Sequence, residues 1–424
     1  MKKLAIIGGG AAGLAAAVAA GEALRSPGGS NASHDVEVVL YEADERVGRS
    51  ILATGNGRCN FSNAHIDAGL YRNGAFVRDA LIALRGRSAR RDSATAASCD
   101  ENPVHEFFAD WGLEWREEGE GRLYPLANKA SVVLDVLREA CAAGGVREAC
   151  GSAVVSVVPP ERTGEHFHLR FADGAIEHAD AVVVACGGRG FAGLLPERYR
   201  VASARPVLGP LRTAGSVAKS LDNIRVRAAL TLVDAGGTLR AREEGELLFR
   251  SYGVSGIAVF NLSRHASPGD RLLVDLLPFV AEADCESYLF RRRKRMAAHV
   301  GELSGEGFLR GLLLPPVSRV VLREAGLRSE ALFSKTDVPA LARSLKTLPF
   351  VVEGVGDARQ CQVTRGGFSV GDFDATTMES HLDKGLYVVG EALDVDAPCG
   401  GYNLHWAWAS GLTAGRAAAV QLAG

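Results

Sequence analysis

The stretch KLAIIGGGAAGLAAAVAAGEAL, residues 3–24, decides the fold. Lys3–Ile7 is a short apolar run of the kind that forms a strand buried on both faces. Gly8, Gly10 and Gly13 give the spacing GxGxxG, with Ala11 and Ala12 between them, and Leu14–Leu24 is alanine-rich, the composition of a strong helix former. A second apolar run, Val36–Tyr41, ends at Glu42. Strand, helix, strand in this order needs a crossover, and a crossover means parallel pairing. Gly8 permits the tight strand-to-helix turn, Gly10 lets a pyrophosphate approach the backbone, and Gly13 lets the helix pack closely. The helix N-terminus offers unpaired N–H groups and a positive dipole end to the phosphates, and Glu42 can accept from ribose hydroxyls. The interval from Gly13 to Glu42 exceeds the roughly 20 residues usual for this fingerprint. The polar loop RSPGGSNASHD (25–35) accounts for the excess. The segment is read as a dinucleotide site.

Composition narrows the class around it. At 424 residues the chain is long enough for two or three domains. Its 47% hydrophobic and 23% charged residues exclude a disordered or fibrous protein. Lysine plus arginine is 48 and aspartate plus glutamate 50, a net charge of −2 that argues against a dedicated nucleic-acid or anionic-membrane binder. The eight cysteines (59, 99, 141, 150, 186, 285, 361 and 399) form no CxxC and no zinc-like cluster with histidine. They read as small buried residues in a reducing compartment, and no metal site is expected. Three successive glycines interrupt the apolar N-terminus, so it does not read as a signal peptide, and no other purely apolar run reaches membrane-spanning length. The expected location is the cytoplasm. Nothing in the sequence signals an oligomeric state.

Beyond residue 129 a helical pattern, Lys129–Ala143, leads into a strand at Ala153–Val158, a hairpin-like passage at Phe167–Asp180, and a buried strand at Ala181–Ala185 ending in Cys186-Gly187-Gly188. After about residue 195 short β-like pieces follow, then a charged helical region over 279–348. The first pattern returns from about 355, with a buried strand at Gly385–Gly390 and a long helix at Tyr402–Leu422. The expected architecture is α/β: a Rossmann-type dinucleotide domain (1–195 plus 355–424) interrupted by an inserted β-barrel-like domain (196–278 and about 340–354) and a helical domain (279–339). The C-terminal return favours FAD over NAD(P). A strand ending in Gly390-Glu391 supplies a carboxylate for ribityl hydroxyls. The glycine-rich helix start Cys399-Gly400-Gly401-Tyr402-Asn403 aims an N-terminus at the pyrimidine edge of the ring, where it stabilises negative charge. No His or Cys flanks Gly8–Gly13 to tether the cofactor, so FAD is expected to be non-covalent.

Seven segments carry a resemblance: GGGAAGLAAA (8–17), GRSILATGNGRCNFSN (48–63), GRLYPLANKASVVLDVL (121–137), VVVACGG (182–188), GELLFRSYGVSGIAVFNLSR (245–264), VTRGGF (363–368) and GLYVVGEALDVDAPCGGYNLHWAWASGLTAG (385–415). In these the chain resembles the bacterial FAD-dependent oxidoreductases of the aminoacetone-oxidase-like and bile-acid-reductase-like kind. The resemblance implies a two-part FAD domain with inserted barrel-like and helical domains. It places Ala12 in the glycine loop, Glu42 at the ribose and Arg49 near the adenosine or phosphates. Gly55, Asn56, Gly57, Arg58, Cys59 and Asn60 pass close to the isoalloxazine ring, and Val154 contacts adenine through its backbone. Glu391 takes the ribityl chain, and Asn403 with Leu404 binds the ring edge. Gly187, Gly188, Gly390 and Gly401 complete the expected cofactor set. Departures from the family pattern are Ser50, where lysine is common, and Arg250-Ser251-Tyr252 and Ile257 in the insertion.

The expected activity is transfer of a hydride between flavin N5 and a small organic substrate. The resemblance suggests a conjugated enone, reduced with electrons from NAD(P)H that binds transiently. No second GxGxxG follows a strand. The alternatives are a flavin-dependent amine oxidase and an RNA-associated flavoprotein acting in tRNA modification. The latter would use a basic face built from Arg291–Arg295 with Arg310, Arg319 and Arg323. Catalytic candidates are Arg58 as an anion ligand and His405 or Tyr252 as proton donors. A redox role for Cys59 with Cys399 is disfavoured because the two are not adjacent.

Overall fold

The computed structural model describes residues 1–25, 35–88, 102–162 and 164–424. Nearly all of the polar loop at 25–35, and Cys99, fall outside the described residues. The apolar runs form a parallel sheet. Strand β1 (Lys2–Ile7) is central, flanked by β2 (Val36–Tyr41) and, on its other side, β4 (Ala181–Val184). Beyond β2 lies β3 (Arg147–Ala149), and beyond β4 lies β5 (Leu386–Val388). Leu4–Ile7 and Val182–Val184 are buried, as parallel strands covered on both faces must be. Strand β3 was not anticipated. Its three residues, Arg-Glu-Ala, carry no apolar pattern because it lies at the sheet edge. The expected strand near 153–158 exists as Val154–Val158, but it opens a separate antiparallel sheet with Phe167–Phe171 and Ile176–Ala179.

Helices α1 (Ala11–Arg25), α2 (Ala130–Ala143) and α3 (Tyr402–Ala423) cover this sheet. Helices α1 and α3 run close enough for their backbones to touch. A Cβ at Gly411 would overlap the carbonyl of Ala12, and one at Gly415 the carbonyl of Ala16. Ala15–Ala20 are fully buried, so the alanine run that favours a helix also supplies a thin packing surface. The two ends of the chain thereby share one core.

Two compact units result: Met1–Arg205 with Val363–Gly424, and Pro206–Gln362. The first unit extends past residue 195 because Val201–Val207 pairs with Val363–Phe368. In the second unit Leu211–Thr213, Gly253–Ser255, Leu239–Arg250, Arg225–Val233, Arg271–Asp275 and Leu348–Val355 close a six-stranded barrel. The charged region folds into helices Cys285–Val300, Pro315–Glu324 and Val338–Lys346. These do not form a core of their own. Leu289, Phe308, Val321 and Leu345 pack into one cluster with Leu230, Leu272 and Phe350 of the barrel. Lys346 also donates to the carbonyls of Leu277 and Val280 and pairs with Asp275. The helical stretch expected over 279–339 is therefore continuous with the barrel.

The helix contact predicts opposite outcomes at two glycines. Gly415→Val forces α3 off α1 and should cost about 3 kcal/mol or more of stability. Gly86→Ala, at an exposed position of the helix Gly74–Ser88 with open space around it, should gain about 0.5–1 kcal/mol. Urea unfolding of both variants checks this; a neutral Gly415→Val would disprove the close contact.

Candidate functional site

The carboxyl ends of β1, β2, β4 and β5 lie on one edge of the sheet, where ligands of open α/β sheets bind. At the end of β1, Gly8 has φ +104°, and a Cβ there would stand 2.5 Å from the carbonyl oxygen of Ala185. Only glycine lets the turn pass the end of β4. A Cβ on Gly13 would strike the Gly8 carbonyl, so its role is to close the turn. The first α1 hydrogen bond across the turn runs from Leu14 N–H to the Gly10 carbonyl at 3.0 Å. The first-turn N–H groups of Ala11, Ala12 and Gly13 are left without an intrahelical acceptor. Glu42 is drawn into the same turn. Its Oε2 accepts from Gly9 N–H at 2.7 Å and its Oε1 from Asp44 N–H at 2.8 Å. The carboxylate braces the loop with one side of each oxygen and retains lone pairs for a ribose. Arg49 pairs with Asp44 at 2.7 Å on the exposed rim, and Val154 begins its strand two residues after Ser152, whose N–H donates to the Glu42 carbonyl.

The second helix N-terminus is that of α3. Its N-cap, Gly401, has φ +95°, and a Cβ there would collide with the Ser62 carbonyl. The first helical bond runs from His405 N–H to the Gly401 carbonyl at 2.9 Å, leaving Tyr402, Asn403 and Leu404 N–H without helical partners. The Asn403 side chain is spent on the preceding loop. Its Oδ1 accepts from Ala397 N–H and its Nδ2 donates to the Ala397 carbonyl, both at 2.9 Å. Only its backbone is available to a ligand. Gly390 brings the two helix starts together, since its ideal Cβ would sit 2.9 Å from that of Ala12.

Between these termini runs the loop 54–60, with Gly55, Asn56, Gly57 and Cys59 all in the left-handed region. Further contacts hold it and the residues that follow it. Arg58 forks onto Glu118 (3.1 and 3.0 Å) and lies over the Tyr124 ring at 4.0 Å, so its guanidinium is already occupied. Asn63 Nδ2 donates to the Gly400 carbonyl at 2.9 Å. Trp408 Nε1 donates to the Phe61 carbonyl at 2.8 Å. On the other flank, Glu391 accepts from Thr364 N–H at 2.7 Å, and Gly188 has no room for a Cβ because Glu391 and Thr364 fill it. Burial pushes the Glu391 carboxyl above the usual carboxylate range, with the Thr364 bond opposing the shift. Gly187 has φ +68° and open space.

Three chemical candidates change character in this setting. His405 is buried, and its Nδ1 meets Ser62 Oγ at 2.9 Å; the same hydroxyl meets His105 Nε2 at 2.8 Å. Burial first, then His105 and Arg85, push its pKa down to about 3. It is a neutral imidazole fastening α3. Burial raises the Cys59 thiol to about 12, so it offers no thiolate at neutral pH. Neither Cys59 nor Cys399 is joined in a disulfide. Tyr252 belongs to the barrel unit, where its hydroxyl reaches Gln360 at 3.4 Å. Sequence reasoning missed Ser62, Asn63 and Thr364. All three lie in segments quoted for the resemblance, but their partners are hundreds of residues away or in another element.

One buried atom tests whether this cradle fits a flavin. Asn60 Oδ1 is buried and has no hydrogen-bond partner among the described residues, and it lies 3.0 Å from where a Cβ on Gly401 would stand. A ring edge carrying both a donor and acceptors, placed between Asn60 and the α3 N–H groups, would satisfy both. The pyrimidine edge of FAD has that pattern, so the residues fit it.

A Rossmann-type sheet with this cradle at its carboxyl edge defines the class: an FAD-dependent oxidoreductase. The chain belongs to the HI0933-like family, whose profile, described as "HI0933-like protein Rossmann domain", matches residues 2–417. It is 33% identical over 443 residues to a 3-dehydro-bile acid delta(4,6)-reductase of Clostridium scindens, covering 99% of each chain. It is 29% identical over 426 residues to a ribosomal RNA dihydrouridine synthase of Escherichia coli, covering 96% of this chain and 95% of that one. A solved 3-ketosteroid-delta4-(5alpha)-dehydrogenase from Rhodococcus jostii RHA1 aligns with 100% of this chain and 97% of its own at 14% identity and a TM-score of 0.45. No helix among the described residues is long and apolar enough to cross a membrane.

Two measurements follow from this geometry. Asn60→Leu removes an unsatisfied acceptor, so the apoprotein should hold or gain stability, by about 1–3 kcal/mol at most, while FAD retention weakens. Equal FAD affinity in the variant would detach Asn60 from the ring. The second concerns His405. The unfolded chain protonates this imidazole below about pH 6.5 and the folded chain only near pH 3, so protons favour unfolding between those values. Stability should fall by up to about 1.4 kcal/mol per pH unit as pH drops from about 6 to about 4, and His405→Gln should lose that part of the slope. An identical slope in urea titrations would show that His405 is not held neutral.

Proposed function

We propose that the protein reduces a carbon–carbon double bond conjugated to a carbonyl in a small organic molecule. The observation that carries this is shared chemistry among its relatives across their full length. A delta(4,6)-reductase of a 3-dehydro bile acid saturates a double bond conjugated to a ketone. A dihydrouridine synthase saturates the uracil double bond beside its carbonyl. One reaction type accounts for both names, and oxidation of an amine accounts for neither.

The residues divide the work as follows. The first-turn N–H groups of Ala11–Gly13 hold the pyrophosphate and Glu42 the ribose, with Arg49 and the Val154 backbone beside the adenosine. Glu391, oriented by Thr364, takes the ribityl hydroxyls. Asn60 and the N–H groups of Asn403 and Leu404 fix the ring edge, and the helix dipole there favours negative charge. Arg58 holds the 54–60 loop against Glu118. When bound, FAD would supply the hydride at N5 for the carbon β to the carbonyl, and the α carbon of the resulting enolate would take its proton from solvent. NAD(P)H is the proposed electron source, delivered without a Rossmann domain of its own.

A small molecule is preferred to RNA because the basic run is partly spent inside its own unit. Arg292 donates to the carbonyls of Phe308 and Arg310, and Arg293 to that of Phe333. The test is anaerobic stopped-flow of the FAD-loaded protein with NADH and NADPH, followed by a steroid enone, a primary amine or a ribosomal RNA fragment. Flavin reoxidation by the enone, with loss of its ultraviolet absorbance, is expected. Turnover with the amine alone or the RNA alone would overturn the reading.

A further inference from the structure

Three histidines, His166, His168 and His178, gather on an exposed sheet face that the cofactor reading leaves unused. The sheet is the antiparallel one of Val154–Val158, Phe167–Phe171 and Ile176–Ala179. Phe167, Leu169 and Phe171 are buried in the main core. Alternation along the strand therefore turns His168 and Arg170 outward, and on the next strand Ile176 and His178; all four are exposed. His166, just before the strand, is exposed as well.

His168 and His178 stand directly opposite each other across two strands. Their ring centres are 4.6 Å apart, with the planes at 89°. Among the described residues no hydrogen bond or ion pair occupies the nitrogens of either ring. The spacing is the one a shared metal ion requires. A metal about 2.0–2.1 Å from a ring nitrogen lies roughly 3.2 Å from the ring centre, so two imidazoles in adjacent positions of a tetragonal shell have centres about 4.5 Å apart. Both rings are exposed and their terminal torsion is soft. A turn about χ2 brings one nitrogen of each onto the same ion.

The backbone beneath the pair is fixed by the buried face and by Asp180, one residue past the last strand. Asp180 accepts from the Lys3 N–H of β1 at 2.7 Å and pairs with His166 Nδ1 at 3.0 Å. His166 is thereby committed, and its ring centre lies 6.3 Å from that of His178. No three His, Cys, Asp or Glu side chains among the described residues converge on a metal position, so water completes the shell of any ion held here.

We propose that His168 and His178 form a two-imidazole chelate for a divalent transition-metal ion. Nitrogen ligands suit nickel, copper and zinc, whereas magnesium and calcium prefer oxygen donors. Only the folded sheet brings the two rings together, so an ion that bridges them stabilises the folded state.

The test is titration calorimetry with nickel chloride on the untagged, FAD-loaded protein and its variants. Nickel is the probe because copper(II) oxidises thiols, and the chain carries several outside disulfides. One ion per chain is expected, together with a rise in Tm when the metal is added. His168→Asn and His178→Asn should each weaken binding by at least the roughly 10- to 100-fold that loss of an outer-sphere partner costs a metal site, and should abolish the rise in Tm. His166→Asn should leave the affinity within about twofold, because its nitrogen is not a ligand. Wild-type protein with no saturable nickel binding overturns the proposal, as does undiminished binding in either His168→Asn or His178→Asn. Loss of binding in His166→Asn overturns it too, because the ligand set would then be a different one.

Discussion

Everything at the site depends on two helices touching through their backbones. Helices α1 and α3 come from opposite ends of the chain, and each begins with a glycine turn at the carboxyl edge of the same sheet. Their first turns can converge on one cofactor only if the helices lie unusually close. Gly411 and Gly415 against Ala12 and Ala16 permit that closeness, and Gly390 against Ala12 extends it to the ligand edge. Larger side chains would bury more apolar area yet hold the helix starts apart. Here the sequence gives up side-chain packing to gain backbone proximity.

The second constraint is electrostatic. Two helix N-termini offer partial positive charge and unpaired donors, and the acidic residues nearby are arranged to complement them. Glu42 is tied to Gly9 N–H and Asp44 N–H. Glu391 is half-buried behind Gly188 with one backbone donor. Burial holds His405 neutral and Cys59 as a thiol. In this account the protein's part is to hold, orient and polarise the cofactor.

The glycine fingerprint and the strand before it were legible because each step is local: a turn, a helix start, an acid at the end of the next strand. The C-terminal return was legible for the same reason. The barrel was visible only as scattered β pieces, since Leu211 pairs with Val254 and Val355, far along the chain. The shared core of barrel and helices was hidden too, because periodicity shows that a face is apolar but not what covers it. His405 shows the limit most clearly. It looked like a proton donor near the flavin, yet its state is set by Ser62, 343 residues away, and by His105. Asn60 was legible as a loop residue near the ring, but that its buried Oδ1, beside Gly401, has no partner among the described residues is visible only in the structure.

The claim at the centre of this account is that both chain ends grip one FAD. Hydrogen–deuterium exchange on the apoprotein and the FAD-reconstituted protein tests it directly. The amides of Gly9–Gly13 and of Tyr402–Leu404 should both gain protection on FAD binding, together with Asn60. Protection confined to the N-terminal turn, with Tyr402–Leu404 exchanging at the same rate in both forms, would contradict it.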